Sequence, residues 1–382
     1  MTADYDVAVI GLGAMGAHAV QQLAARGQRV IGIERFGPAH QRGSSHGDSR
    51  LIRLAYYEDP AYVPLLRRAY ANWRALERLS GEALMTITGI LQIGRPESAV
   101  VSGVLESCRV HGIAHELLEP AQVAERFPAF AMRPEDVAVF EPQGGFLRPE
   151  RAITAALRLA GADGAVLRFN ERVTAIEPDD AGVTIVSNAG RCRVRKAIVA
   201  AGSYVGGLVP SLAPYAKPIF VMVGWYASRD PLATALGRMP GFLIDEGDGG
   251  SFYGFPDLGE GVKVGKHGHN HQLIDPEQPN RPVEPEDIAV TDSFMARRIP
   301  AVAPNGQRFM SCRYTLLPGE HFLIDFAPGE RHLIVASPCS GHGFKFASVV
   351  GEILADLAMQ DGTRLPIDLF SFAALERRAA AV

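Results

Sequence analysis

Cysteine is scarce in this chain. Cys108, Cys192, Cys312 and Cys339 are spread over 382 residues with no CxxC pair, which excludes a disulfide scaffold and points to a reducing compartment. Clustered charge is missing too. The 38 basic and 42 acidic residues leave a net charge of -4 and form no long run of one sign, so neither nucleic acid nor an anionic membrane is expected as a partner. A membrane-spanning run is absent: the longest uncharged stretch, Ala197 to Ala216, is broken by two prolines and several glycines and serines, and reads as strand, turn and short helix in a water-soluble core. The opening MTADYDVAVIGLG lacks the basic and apolar regions of a signal peptide, so a cytoplasmic protein is expected. No repeat or low-complexity tract is visible. A small molecule is left as the partner.

Length and apolar content are ample. A chain of 382 residues, 47% hydrophobic, exceeds what one core usually holds, and two domains are expected. Tyr5 to Ile10 is a run of the kind that makes a strand buried on both faces, a helix follows to about Arg26 with Gly27 as its stop, and Arg29 to Ile33 is a second strand ending at Glu34. Tyr62 to Leu79 places Val63, Leu66, Tyr70, Trp73, Leu76 and Leu79 on one helical stripe that Gly81 can end. Pro149 to Gly161 reads as a helix, Arg168 to Val199 as short strands, and about 217 to 308 as an antiparallel sheet with period-two patches such as SFYGFP and GVKVGKH. The run HFLID after Pro318 and the run His332 to Ala336 read as strands, and Gly343 to Met359 as a helix. The implied organisation is a dinucleotide domain assembled from residues 1–81, 146–216 and 309–382, with 82–145 and 217–308 forming an interleaved substrate domain.

Four stretches carry chemistry. In Gly11-Leu12-Gly13-Ala14-Met15-Gly16 the first glycine permits a tight turn, the second lets backbone approach a pyrophosphate, and the third lets helix and strand pack, while Glu34 would accept from ribose hydroxyls. An acidic residue there argues against a 2′-phosphate and leaves NAD or FAD open. GSSHGDSRLIRLAY from Gly43 gathers His46, Asp48, Arg50 and Arg53; the arginines can hold a carboxylate or phosphate, or can lie on a solvated face with Asp48 pairing one of them. GVKVGKHGHNHQ from Gly261 sets Lys263 between valines, where a lysine is costly unless its charge is wanted. Its alternate histidines, His267, His269 and His271, would share one face of a strand, but no carboxylate or cysteine completes a metal signature, and no metal is expected. SGHGFKFA from Ser340 puts His342 and Lys345 at a glycine-rich helix start, which suits an anion or a ring oxygen, or else a plain cap with a solvent-facing lysine.

Together VIGLGAMG, GSSHGDSRLIRLAY, YGFP at Tyr253, KVGKH, CRYT at Cys312 and SGHGFKFASVVGEI resemble the monomeric sarcosine oxidase and N-methyltryptophan oxidase family of flavoenzymes, in the same order and over nearly the whole chain. The resemblance implies a glutathione-reductase-like FAD-binding Rossmann domain of α/β class with an interleaved antiparallel-sheet substrate domain. It also implies FAD bound covalently through the sulfur of Cys312. By the same matching, Lys263 is similar to the lysine that activates oxygen, Arg53 and Lys345 to the pair that holds the substrate carboxylate, and His46, Arg50, Tyr253, His267 and Tyr314 to residues around the ring and substrate. Gly11, Gly13, Gly16, Glu34, Arg35, Ser45, Gly341, Gly343, Phe344 and Lys345 match cofactor-binding positions. The implied activity is oxidation of an N-methyl or other secondary amino acid by a monomer, with O2 reduced to H2O2 and the imine hydrolysed. Two departures stand out: Ser45 occupies a position that is often histidine, and Cys339 lies just before the last motif, as a packed thiol or as part of the substrate pocket. KVGKH and GWYAS resemble the N-methyltryptophan branch more than the sarcosine branch. Competing expectations are a cyclic secondary amino acid such as proline or pipecolate as substrate, a protein or quinone acceptor, a non-catalytic flavin sensor, and an NAD-linked dehydrogenase.

Overall fold

The β-branched run at the N-terminus forms the strand Tyr5–Ile10, buried from Asp6 onward because neighbours cover both faces. In the computed structural model, which describes residues 3–247 and 250–381, this strand is central to a sheet of eight. Met1, Thr2, Asp248, Gly249 and Val382, which the expected domain ranges include, lie outside the described residues. Tyr5–Ile10 pairs in parallel with Val30–Ile33 on one side and Gly190–Val199 on the other; Val166–Arg168 and Glu330–Ala336 extend the parallel set outward. Helices Ala14–Ala25, Pro149–Ala162 and Ala347–Gln360 share one apolar core with the sheet. Parallel strands with helices packed on them give the Rossmann-type arrangement expected from the glycine-rich opening.

A second sheet of eight takes the order Arg308–Leu316, Lys217–Tyr226, Val262–Lys266, Ser251–Phe255, Gly241–Asp245, Ile90–Gly94, Val137–Glu141, Glu116–Leu118. Every neighbouring pair is antiparallel except Gly241–Asp245 with Ile90–Gly94. The boundary expected at residue 309 differs from this pairing: Arg308–Leu316 runs in register with Lys217–Tyr226 from Arg308 opposite Trp225 to Leu316 opposite Lys217, so the strand bearing Cys312 belongs to the second sheet. A small third sheet joins Arg50–Ile52, Gly145–Leu147 and Met85–Ile87.

Two local expectations shift. The helix Val63–Ser80 buries Val63, Leu66, Trp73 and Leu76 and ends at a left-handed Gly81, but Leu79, in its last turn, is 64% exposed. HFLID is a strand only from Ile324. Gly319 and Glu320 take left-handed backbone, and His321 to Leu323 stay irregular although Phe322 and Leu323 are buried.

Candidate active site

A cavity of about 350 Å³ runs between the two large sheets. At its nucleotide end the three glycines differ in what they tolerate. Gly11 has φ +88° and a Cβ there would sit 2.6 Å from the Ala200 carbonyl, while a Cβ on Gly16 would collide with the Gly11 carbonyl. A Cβ on Gly13 would meet only Ser45 Oγ, 4.0 Å away, so the cavity side of the loop is open next to the unpaired N–H groups of the helix that starts at Ala14. Glu34 is buried, and its carboxylate accepts from the Leu12 N–H at 2.8 Å and the Phe36 N–H at 2.9 Å. It therefore braces the glycine loop as well as facing the cavity. Arg35 binds Glu277 through two 2.9 Å bonds and lies 4.9 Å over the Tyr204 ring. Ser203 Oγ and Ser337 Oγ are buried without a partner among the described residues, and both residues line the cavity. Orphaned polar groups beside an open glycine loop fit a polar, phosphate-bearing ligand such as a dinucleotide.

At the other end the second sheet supplies the wall. Residues opposite one another in register share a face, and the pairings Leu243 with Tyr253, Phe255 with Lys263, Lys263 with Trp225, Cys312 with Val221 and Tyr314 with Ile219 put all of these on one face. The Tyr253 and Tyr314 hydroxyls are 3.4 Å apart. Arg50 donates to the carbonyls of Ser49 at 2.8 Å and Ser44 at 2.9 Å, and its guanidinium lies 4.0 Å from Cys312 Sγ. Burial raises the Cys312 pKa and the Arg50 charge opposes that rise. His46 Nε2 lies 3.1 Å from the Ser311 carbonyl, and burial, with Arg50 next, brings its pKa to about 4, so the ring is neutral. Lys263 is 2% exposed and donates to the Gly47 and Ser49 carbonyls and to Ser49 Oγ, with the faces of Phe255 and Trp225 at 4.9 and 5.5 Å. Burial, followed by the Arg50 charge, lowers its pKa well below the ordinary lysine value. Lys263, His46 and Cys312 stand just behind the wall that Ser44, Arg50, Tyr253 and Tyr314 form.

The same cavity is lined by the cations expected to meet a carboxylate. Arg53 is 3% exposed, binds both oxygens of Glu58 at 2.9 Å, donates to the Ala55 carbonyl at 3.1 Å, and lies 4.4 Å over Tyr56. Burial alone would raise the Glu58 carboxyl, but the Arg53 charge and hydrogen bond, with His342 and Lys345 nearby, together outweigh it and hold the pKa at about 2. Lys345, 5% exposed, donates to the His342 carbonyl at 2.7 Å, and burial, then Arg53, brings its pKa down to about 7. His342 is clamped between the Tyr56 hydroxyl and the Glu320 carbonyl. Neither arginine is on a solvated face, Asp48 pairs with Arg308, and Lys345 is turned inward.

Gly341, Gly343 and Phe344 line the cavity beside Lys345, as do Ser45 and the half-buried Cys339, whose sulfur accepts the Thr315 N–H at 3.3 Å. The three histidines do not share a strand face. The strand stops at Lys266, and His269 and His271 take left-handed backbone. His267 lines the cavity 3.3 Å from Glu320, whereas His269 is buried against Asp287. Sequence reasoning missed Glu58, Tyr57 and Leu243. Tyr57 and Glu58 follow the motif directly and were open to notice; the wall contributed by Leu243 depends on long-range pairing.

Residues 6–357 match the family described as FAD dependent oxidoreductase. The chain is 38% identical over 378 residues to monomeric sarcosine oxidase of Streptomyces avermitilis, covering 97% of each chain. It is 35% identical over 372 residues to N-methyl-L-tryptophan oxidase of Yersinia pestis, covering 97% of this chain and 99% of the other. Among solved structures it is similar to the open form of NikD, described as an unusual amino acid oxidase essential for nikkomycin biosynthesis, with a TM-score of 0.85 and 26% identity over 97% of this chain and 98% of that one.

Proposed function

The chain belongs to the FAD dependent oxidoreductase family, and from that premise we propose that it oxidises N-methyl or other secondary amino acids with oxygen as acceptor. The single observation that carries the substrate class is a pair of buried cations, Arg53 and Lys345, on a cavity whose nucleotide end fits FAD. Gly11, Gly13, Gly16, Glu34, Arg35 and Ser45 would hold the dinucleotide, and Cys312 would tether the ring through sulfur, with Arg50 favouring loss of the thiol proton. Bound FAD supplies an acceptor for a hydride from the carbon beside the amine, and passes the electrons to O2 to give H2O2.

The side chains do the rest. Lys345 spends one N–H on the His342 carbonyl and has two left for a substrate carboxylate. Arg53 holds Glu58 through Nη2 and the Ala55 carbonyl through Nη1, so it can join Lys345 through its remaining N–H groups, or through Nη2 when the substrate carboxylate displaces Glu58. Held there, the substrate presents its amine and adjacent carbon toward Tyr253 and Tyr314, and such orientation can remove several kcal/mol from a barrier. Water then hydrolyses the imine, releasing formaldehyde from an N-methyl substrate. Lys263 has an acceptor for each ammonium hydrogen, which favours the charged form against its burial, and its role is to stabilise charge developing on oxygen. Tyr57, Leu243, Tyr253, His267 and Tyr314 form a largely aromatic wall, which suits a side chain larger than hydrogen or a cyclic secondary amino acid. The site is built within one chain and needs no second copy, and no helix among the described residues is long and apolar enough to cross a membrane. We read the protein as a cytoplasmic monomer.

A peroxide-coupled screen of sarcosine, N-methyl-L-tryptophan, proline and pipecolate tests this. Peroxide is expected from at least one, and not from the matching amine without a carboxylate. Failure of every one of them to bleach the flavin without oxygen would defeat the proposal.

A further inference from the structure

Glu141, the last residue of the strand Val137–Glu141, is fully buried, and among the described residues it forms no ion pair. Its two oxygens each take one backbone N–H, from Leu54 at 2.7 Å and Ala55 at 2.9 Å. Those are the two residues that follow Arg53. The same short segment is held from its other side. The Ala55 carbonyl accepts from Gln92 Nε2 at 3.4 Å and from Arg53 Nη1 at 3.1 Å, and Ser107 Oγ donates to the Tyr56 carbonyl. Gln92 and Glu141 come from neighbouring strands, on the face that also carries Leu243 and Tyr253.

A buried carboxylate is expensive, and capping two N–H groups does not by itself require a charge. A reason emerges from what Arg53 must do. In the resting site Glu58 neutralises the guanidinium and holds its Nη2; a substrate carboxylate that displaced Glu58 from Nη2 would remove that hold. A fixed anion that holds the arginine's own backbone is unaffected by that exchange. Burial raises the Glu141 pKa, and the two N–H groups and the Arg53 charge oppose the rise, so the two residues are electrostatically linked without touching.

We propose that Glu141 is a positioning residue for the substrate: its carboxylate locks Leu54 and Ala55 so that Arg53 stays aimed into the cavity when Glu58 releases it. This rests on the reading of Arg53 as a carboxylate anchor. Gln92 supports the same peptide from the carbonyl side.

The test uses the holoenzyme, its best amino acid substrate, and acetate as a competitive probe of the carboxylate site. Glu141→Gln keeps size but turns an NH2 donor toward a backbone N–H. KM and the acetate inhibition constant are expected to rise about ten-fold, with kcat falling less than about three-fold. In a double-mutant cycle, Glu141→Gln should add nothing once Arg53→Met is present, because the arginine it positions is gone. The proposal is overturned if Glu141→Gln leaves acetate inhibition unchanged, or weakens it by the same factor with and without Arg53. If Arg53→Met itself leaves acetate inhibition unchanged, the anchor reading falls and takes the inference with it. Should Glu141→Gln not fold, Gln92→Leu probes the same peptide: a rise of about three-fold in both constants supports the proposal, and no rise refutes it.

Discussion

Lys345 offers the sharpest test of the carboxylate site, because its charge is set to change near neutral pH. Its pKa lies at about 7, lowered first by burial and then by Arg53. The ammonium form binds a carboxylate and the neutral amine does not. Acetate inhibition should therefore be constant below about pH 7 and weaken ten-fold per unit above it, each unit being about 1.4 kcal/mol. The decline has a floor, since Arg53 remains charged throughout. A charge about 4 Å from a carboxylate in a partly screened site is worth about 4 kcal/mol before desolvation. A net loss of about 2–3 kcal/mol on removing one such partner, or about 30- to 150-fold, sets that floor about two units above the midpoint. Lys345→Met should sit at the floor at every pH. Neighbouring groups do not mimic the profile: Glu58 and His342 titrate at about 2 and about 3. The assay is the acetate inhibition constant from about pH 6 to 9, with a ligand that stays ionised throughout. A flat wild-type profile, or an unchanged slope in Lys345→Met, would refute the reasoning.

Cys312→Ser should leave FAD in the supernatant after acid precipitation, whereas Cys339→Ser should keep it in the pellet; a yellow pellet from Cys312→Ser would mean that the tether lies elsewhere. Lys263→Met should slow reaction of the reduced enzyme with oxygen by about 10²- to 10³-fold while leaving anaerobic reduction by substrate little changed, and equal slowing of both half-reactions, followed by stopped flow, would assign it a structural role instead.

What was legible in the sequence was local. Strand, glycine loop, helix and second strand are specified within 34 residues by a β-branched run, fixed glycine offsets and a terminal acid, and all are found as expected. The cationic residues were visible as types, but their state was not: Arg53 is buried and Arg50 half-buried at the cavity wall because distant strands and helices cover them, and no nearby residue signals that. Period-two patterning also misled at His267, His269 and His271, since alternation says nothing about where the backbone leaves the sheet, and left-handed conformations at His269 and His271 end the alternation. HFLID erred in the same way. Phe322 and Leu323 are buried by packing without strand pairing.

Cys312 shows why a residue's neighbours in sequence can hide its place in the site. Followed along the chain, it precedes a turn and a strand of the dinucleotide domain; followed across the ladder, it is opposite Val221, on the face that carries Tyr314, Tyr253 and Lys263. That ladder links residues nearly a hundred positions apart, which local patterning does not register. Its consequence is functional. The proposed tether and the proposed oxygen-facing lysine ride on one rigid sheet, whereas the proposed carboxylate cations come from outside it: Arg53 follows the strand Arg50–Ile52 of the small sheet, and Lys345 lies in the turn that opens the helix Ala347–Gln360. Substrate holding and oxygen reaction are thus supported by separate elements. On that division, replacing Lys345 should weaken substrate binding without slowing oxygen, and replacing Lys263 should do the reverse.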